Sequence, residues 1–209
     1  MAKLGNPITV TWVLSAAAVI GFGAYQLVLR AGIVPVATMK TEQASVPPAE
    51  LSDQLPDFAL AQLGGDEARL HSWLGRPLVI NFWATWCAPC LREIPLLVAF
   101  QSEQAADGIQ IIGVAVDRPD AVEKFAESMD FNYPNLMGES DAMDAAAAFG
   151  AEFFALPFTV FADASGRILA VHTGEIHQGD LDNFAAVVAD LKRGQSSVEQ
   201  ARARLGGNL

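Results

Sequence analysis

The chain has 209 residues, with 24 Asp and Glu against 13 Lys and Arg, a net charge of −11, and a hydrophobic content of 52%. This length allows one ordinary domain plus additional segments. The acidic balance argues against nucleic-acid binding, which needs a basic stripe for the phosphate backbone. The lack of any Gly-rich Rossmann or Walker loop leaves no expected cofactor site.

The N-terminal region is apolar. No Asp, Glu, Lys or Arg occurs between Lys3 and Arg30. Residues 8–29 supply about 22 positions, enough at 1.5 Å each to cross roughly 30 Å of hydrocarbon. Trp12 and Tyr25 lie near its ends, where interfacial aromatics belong. The run exceeds the 7–15 apolar residues of a cleaved signal peptide, and Pro35 spoils the small-x-small pattern at 34–37. The expectation is a cytoplasmic stub at 1–7, an uncleaved single-pass anchor at 8–29, and a C-terminal part beyond the membrane. Residues 30–54, rich in Thr, Ser and Gln and carrying Pro47-Pro48, read as a flexible linker that holds the domain off the bilayer. The acidic surface expected beyond it speaks against lying flat on anionic lipid.

The domain is expected over 55–193, followed by a tail at 194–209 that is a weak helix or frays. It opens with a small hairpin, 58–63 and 68–70 about Gly64-Gly65, and a helical turn at Trp73-Leu74. Residues 77–84 are uncharged and rich in β-branched and aromatic types, the composition of a strand buried on both faces. A helix follows over 91–106, with Pro95 removing one ladder bond and Gly108 ending it. A second buried strand spans 109–116. Helices are expected over 119–129 and 140–149, the latter stopped by Gly150. Residues 158–162 and 167–172 form an antiparallel hairpin. Leu181, Phe184, Val187, Val188 and Leu191 have the spacing of an amphipathic helix over 180–191. The pattern β-α-β then β-β-α gives an α/β domain with a mixed sheet between helix layers.

The chemistry lies at the junction of the central strand and its helix, in Cys87-Ala88-Pro89-Cys90. Unpaired N–H groups and a partial positive charge at a helix N-terminus favour thiolate over thiol. Cysteines so placed have their pKa lowered from about 8.5 to roughly 3.5–7.5. Pro89 suits a first turn that asks no N–H of it. These are the only two cysteines in the chain. A purely structural bridge would close a tiny loop for little entropic return. Zinc would need two further ligands, and His71, His172 and His177 lack ligand spacing. A redox-active dithiol, a Cys87–Cys90 disulfide when oxidised, is the reading favoured.

The block Asn81-Phe82-Trp83-Ala84-Thr85-Trp86 before the cysteines, with Pro56-Asp57-Phe58 upstream and Leu156-Pro157 and a Gly166-Arg167-Ile168 strand downstream, resembles the thioredoxin superfamily. More closely it is similar to the membrane-anchored TlpA/ResA/CcmG (DsbE)-type thiol–disulfide proteins of bacteria, over about residues 57–192. The resemblance implies a thioredoxin-like fold with an extra N-terminal hairpin. It implies that Cys87 is the nucleophile and Cys90 the resolving thiol, working through a mixed disulfide. Thioredoxin carries a buried Asp where this chain has Asn81, and an amide cannot move a proton. Glu93, three residues beyond Cys90 and matching a functional glutamate of ResA-like proteins, is the candidate acid–base group. Pro157 matches the superfamily's cis-proline, which lets the backbone of Leu156 bond a substrate strand. Trp83 is expected in the core, and Trp86 at a contact surface. Phe158 replaces a usual threonine and makes this wall more apolar. The loop before Pro157 is longer than usual and carries Phe153 and Phe154. One of these, with Leu156 and Phe158, is expected to form an apolar lip beside Cys87.

The family resemblance further implies protein disulfide substrates, such as apocytochrome c or copper-site proteins, and an integral-membrane thiol transducer as electron donor. Three rivals remain. A dithiol oxidase or isomerase would use the same cysteines. A peroxiredoxin-like peroxidase needs P-x-x-x-T-x-x-C, but Ile80 and Ala84 stand at its Pro and Thr positions. A Cu(I)-binding module could take the two thiolates with His172 as third ligand.

Overall fold

The computed structural model describes residues 53–104, 108–150 and 155–206. The expected stub, the anchor at 8–29 and nearly all of the linker lie outside these residues. Among the described residues no helix is long and apolar enough to cross a membrane.

Among the described residues, seven strands and five α-helices follow one another along the chain. β1 (Ala59–Gln62) and β2 (Glu67–Arg69) form the small hairpin, and a 3-10 turn over Leu70–Trp73 leads to β3 (Leu78–Trp83). The active-site helix α1 (Ala88–Glu103) connects to β4 (Gln110–Val116). Then come α2 (Pro119–Ala126), β5 (Asn135–Gly138) and α3 (Ser140–Ala147). The C-terminal half is β6 (Phe158–Ala162), β7 (Ile168–Thr173), α4 (Gln178–Lys192) and α5 (Val198–Arg204). The sheet order is β2-β1-β5-β4-β3-β6-β7. β3, β4 and β5 are parallel, whereas β6, β7 and the β1–β2 hairpin run against their neighbours.

β3 lies inside the sheet, and all six of its residues are buried. Its side chains alternate between two faces. Ile80 and Phe82 pack with Ala142, Ala145 and Ala146 of α3. Phe82 stacks on Phe158, ring centroids 4.3 Å apart. On the other face, Val79 packs with Leu97 of α1 and Phe184 of α4, and Trp83 packs with Cys90 and Ile94. The sheet therefore clamps α1 against the strand that delivers the cysteines. Pro95 lies inside α1 at an exposed position, so its missing N–H falls on the solvent side.

Three elements add to or differ from the expectation. β5 has no counterpart among the expected elements, because Asn135-Leu136-Met137-Gly138 is too short to show alternation and is buried throughout. It nonetheless ties the N-terminal hairpin to the parallel core through the Ala61–Met137 and Gln62–Leu136 pairs. The C-terminal tail, expected as a weak helix or a frayed end, is helical over Val198–Arg204. Ser197 Oγ accepts from the Gln200 N–H, and Gln200 Oε1 accepts from the Ser197 N–H. This capping box starts α5, which buries Ala201, and Arg202 donates to the Ile168 carbonyl at 3.0 Å. Finally, the linker's last residues belong to the domain. The Ile168 N–H donates to the Asp53 carbonyl at 2.9 Å, and Arg202 pairs with the Asp53 carboxylate at 3.0 Å.

The tightest packing constraint lies under Trp83, whose indole N–H donates to Asn135 Oδ1 at 3.0 Å. That bond crosses directly over Gly113 of β4, where a Cβ would stand 2.0 Å from Asn135 Oδ1 and 3.2 Å from Trp83 Nε1. Gly113→Ala must displace a buried hydrogen-bonded pair. It is expected to destabilise the oxidised domain by about 1–3 kcal/mol in urea titration.

Candidate active site

Cys87 is the N-cap of α1, in extended conformation, and its Sγ accepts the Cys90 N–H at 3.3 Å. Pro89 lies in the first turn, as the sequence implies. The two sulfurs form a disulfide, Cα–Cα 5.3 Å. Cys90 is fully buried, and Cys87, the more accessible, is itself only 5% exposed. The preceding loop is pinned, since both the backbone N–H and the hydroxyl of Thr85 donate to Asp117 Oδ2 at the end of β4. Trp83 is buried, whereas Trp86 is 69% exposed.

Glu93 is not a solvated helix-surface residue. It is 1% exposed, one turn beyond Cys90 on the inner face of α1. Asn81 Nδ2 donates to its Oε1 at 2.7 Å, and the Ile176 N–H donates to its Oε2 at 2.8 Å. Burial pushes the carboxyl up to about 7 against these two donors, with Glu175 adding to the rise and His177 opposing it. Asn81 Nδ2 also donates to Thr159 Oγ1 of β6 at 3.0 Å. Arg92 bridges α1 to Glu175 outside this buried set, Nε to Oε2 at 3.0 Å. Being exposed to solvent screening, that pair contributes little to stability.

The Leu156–Pro157 bond is cis. The Pro157 carbonyl accepts from the Gly174 N–H at 2.8 Å, which fixes the loop to the end of β7. Beside it lies an apolar cavity of about 160 Å³ lined by Trp86, Val116, Met143, Ala146, Leu156 and Phe158. Phe158 is fully buried and stacked on Phe82, so it forms the inner wall of this cavity and not an exposed lip. Its place in a strand paired on both sides turns it into the core. Leu156 is half-buried. Phe153 and Phe154 lie outside the described residues.

The histidines act locally. His177 is the N-cap of α4, its N–H donating to Asp180 Oδ2, and His172 Nε2 lies 3.3 Å from the Glu175 carbonyl. Among the described residues no three His, Cys, Asp or Glu side chains are grouped to hold a metal. Sequence reasoning missed Thr159, the Ile176 N–H and Met143. Thr159 had a signal, one hydroxyl in an otherwise apolar strand run. The backbone donor and the α3 methionine had none.

The family model described as the AhpC/TSA family matches residues 51–171. The chain belongs to this family. Among curated relatives, a thiol-disulfide oxidoreductase ResA of Geobacillus thermodenitrificans strain NG80-2 is 32% identical over 156 residues, 74% of this chain and 86% of the relative. The thioredoxin-like protein YneN of Bacillus subtilis strain 168 is 31% identical, covering 62% of this chain and 75% of the relative. A thiol:disulfide interchange protein of the thioredoxin family from Chlorobium tepidum TLS is similar in structure, with TM-score 0.59 and 26% identity over 69% of this chain and 99% of that one. This AhpC/TSA-family chain is thus a thioredoxin-like thiol–disulfide oxidoreductase. The threonine of the peroxidatic pattern is absent from it, because position 84 is a buried alanine.

The Glu93 environment sets a pH dependence of stability. A carboxyl whose folded pKa lies above its unfolded value binds more protons in the native state, so stability falls as pH rises between the two values. A rise from 4.5 to about 7 predicts a loss of about 3 kcal/mol across that window and a plateau above it. Chemical denaturation of the oxidised protein between pH 4.5 and 8 should show this slope, and Glu93→Gln should flatten it.

Proposed function

We propose that this chain is a membrane-anchored reductant of protein disulfides, working on the periplasmic side of a bacterial inner membrane. The observation that supports it most is the buried Glu93 one turn beyond the buried Cys90. The site thus has a group able to take the proton that a resolving thiol must lose. In the proposed cycle the Cys87 thiolate attacks a substrate disulfide sulfur, forms a mixed disulfide, and expels one substrate thiolate. Cys90 passes its proton to the Glu93 carboxylate, and the resulting thiolate attacks Cys87 Sγ. The second substrate thiolate leaves, and the Cys87–Cys90 disulfide closes. Two electrons have passed to the substrate, and an integral-membrane thiol transducer restores the dithiol. Trp86, Pro89 and the cis-proline loop at Leu156-Pro157 meet the substrate chain.

The direction of electron flow is inferred from what lies between the cysteines. Strong oxidants stabilise their reduced form by favouring the thiolate strongly. Ala88-Pro89 adds neither a charge nor a ring N–H toward that end. Resemblance to ResA- and CcmG-type proteins supports apocytochrome c or copper-site cysteines as substrates. The apolar run at 8–29 supports the anchor, with 30–52 as the spacer.

Two experiments test the reading. Cys90→Ser expressed in cells should accumulate mixed disulfides through Cys87, whose captured proteins name the substrate, and Glu93→Gln should slow protein-disulfide reduction about 10²-fold at pH 7. Parental rates in Glu93→Gln would remove the proton-transfer role. The full chain should resist carbonate extraction from membranes, whereas deletion of residues 1–30 should release a redox-active soluble protein. A mature N-terminus found beyond Ala31 would show a cleaved signal instead.

A further inference from the structure

Asn81 occupies the centre of the buried strand β3, where an apolar side chain would be the ordinary choice. Strand alternation puts it on the same face as Val79 and Trp83. Val79 packs with Leu97, and Trp83 with Cys90 and Ile94, so Asn81 lies under α1 between these contacts. Its Nδ2 is doubly used, donating to Glu93 and to Thr159. Its Oδ1 is the one buried side-chain nitrogen or oxygen with no hydrogen-bond partner among the described residues. An unpaired buried acceptor is costly, an unusual feature for the middle of a core strand.

The structure holds the oxidised state, in which neither sulfur carries a proton. Reduction changes one group on this face of the strand. Cys87, at the helix N-terminus, is the thiol disposed to ionise, and Cys90, fully buried, keeps its proton. A buried S–H then appears on the helix that covers a buried acceptor lacking a partner. We propose that Asn81 Oδ1 accepts a hydrogen bond from the Cys90 thiol in the dithiol state. A single amide then serves both ends of the proton's path, its oxygen holding the proton on sulfur and its nitrogen holding the carboxylate that receives it. Asn81 is a residue that touches the reacting atoms in one redox state only. The inference rests on the assignment of Cys90 as the proton-bearing, resolving thiol.

Accepting from S–H stabilises thiol over thiolate and dithiol over disulfide. Removing the acceptor should therefore lower the Cys90 pKa and shift the dithiol–disulfide equilibrium toward the disulfide. The effect must be separated from action through Glu93, because Asn81 Nδ2 also steadies that carboxylate. The charged and titratable groups around the site are Glu93 from α1, Glu175 with its partner Arg92, His177 at the start of α4, and Tyr133 ahead of β5. Thr159 from β6 is uncharged.

The test is a thiolate titration in a Cys87→Ala, Glu93→Gln background, where Cys90 is the sole thiol and the carboxylate is absent. Asn81→Ala and Asn81→Val should each lower the Cys90 pKa by roughly half a pH unit, the size of a weak hydrogen bond. With both cysteines present and Glu93→Gln retained, the same replacements should shift the equilibrium with glutathione about threefold toward the disulfide. Superimposable titrations would overturn the proposal. Should the Asn81 variants fail to fold, the infrared S–H stretch of Cys87→Ala with Asn81 intact decides it. A band lowered by hydrogen bonding is expected, and a band at the unbonded position overturns it. If the unmodified protein fails to reduce protein disulfides, the functional reading falls while the titration still decides the bond.

Discussion

The site depends on one buried carboxyl held under a helix. Glu93 has lost water almost entirely and keeps two donors, one from a strand side chain and one from a loop backbone. Neither donor alone makes burial of an ionised carboxylate favourable, which is why the group settles near neutrality and not near its solution value. Everything that positions these donors is structural: β3 inside a seven-stranded sheet, α1 fastened across it, and the turn after β7 brought back to α1 by the Arg92–Glu175 pair. Glu93 and the thiols share a helix, so their spacing is set by helix geometry and not by tertiary packing.

The thiols impose the complementary constraint. A thiolate needs the open N-terminus of a helix, and a resolving thiol needs shelter one turn inside. Cys87 as N-cap and Cys90 in the first turn meet both demands with two residues between them. Cys87 is only 5% exposed, so the approach to its sulfur is narrow, between the exposed Trp86 and the cis-proline loop. The small cavity beside them is walled partly by α3, an element that belongs to the opposite face of the sheet from α1. The rim of the site is thus assembled from both layers.

Much of this was legible in the chain because it is written locally. The uncharged run into Cys-Ala-Pro-Cys fixes strand, turn and helix within about a dozen residues, and the turn at 163–166, closed by the Gly166 N–H on the Asp163 carbonyl, marks the β6–β7 hairpin. What escaped was non-local. β5 is four residues with no exposed position, so no alternation marks it. It is a strand because β1 and β4 flank it. α5 is short and polar by composition, and its capping box becomes meaningful only where Ala201 and Arg202 find β7 and α4. Glu93 could be placed on the face of Cys90 by spacing, but its burial depends on Ile176, 83 residues away. Phe158 was taken for a surface residue because a strand end cannot show which of its faces meets Phe82.

The pairing of an amide on the strand with an acid on the helix has its own logic. A carboxylate at position 81 would stand within hydrogen-bonding distance of Glu93, and two like charges that close cannot both ionise. One would be forced neutral, and the site would titrate as a coupled pair. Asparagine avoids this. It supplies a donor to Glu93 Oε1 at 2.7 Å and is itself without a titrating proton. The acid is thereby free to respond to its own surroundings, chiefly burial and the Ile176 N–H, with the Glu175 and His177 charges as smaller influences. Those surroundings belong to the turn between β7 and α4, which Arg92 holds from outside. The proton affinity of Glu93 is therefore set by a surface turn as well as by the core. That turn joins the strand paired with the cis-proline loop to α4, so Glu93 and the cis-proline loop are tied to one stretch of backbone.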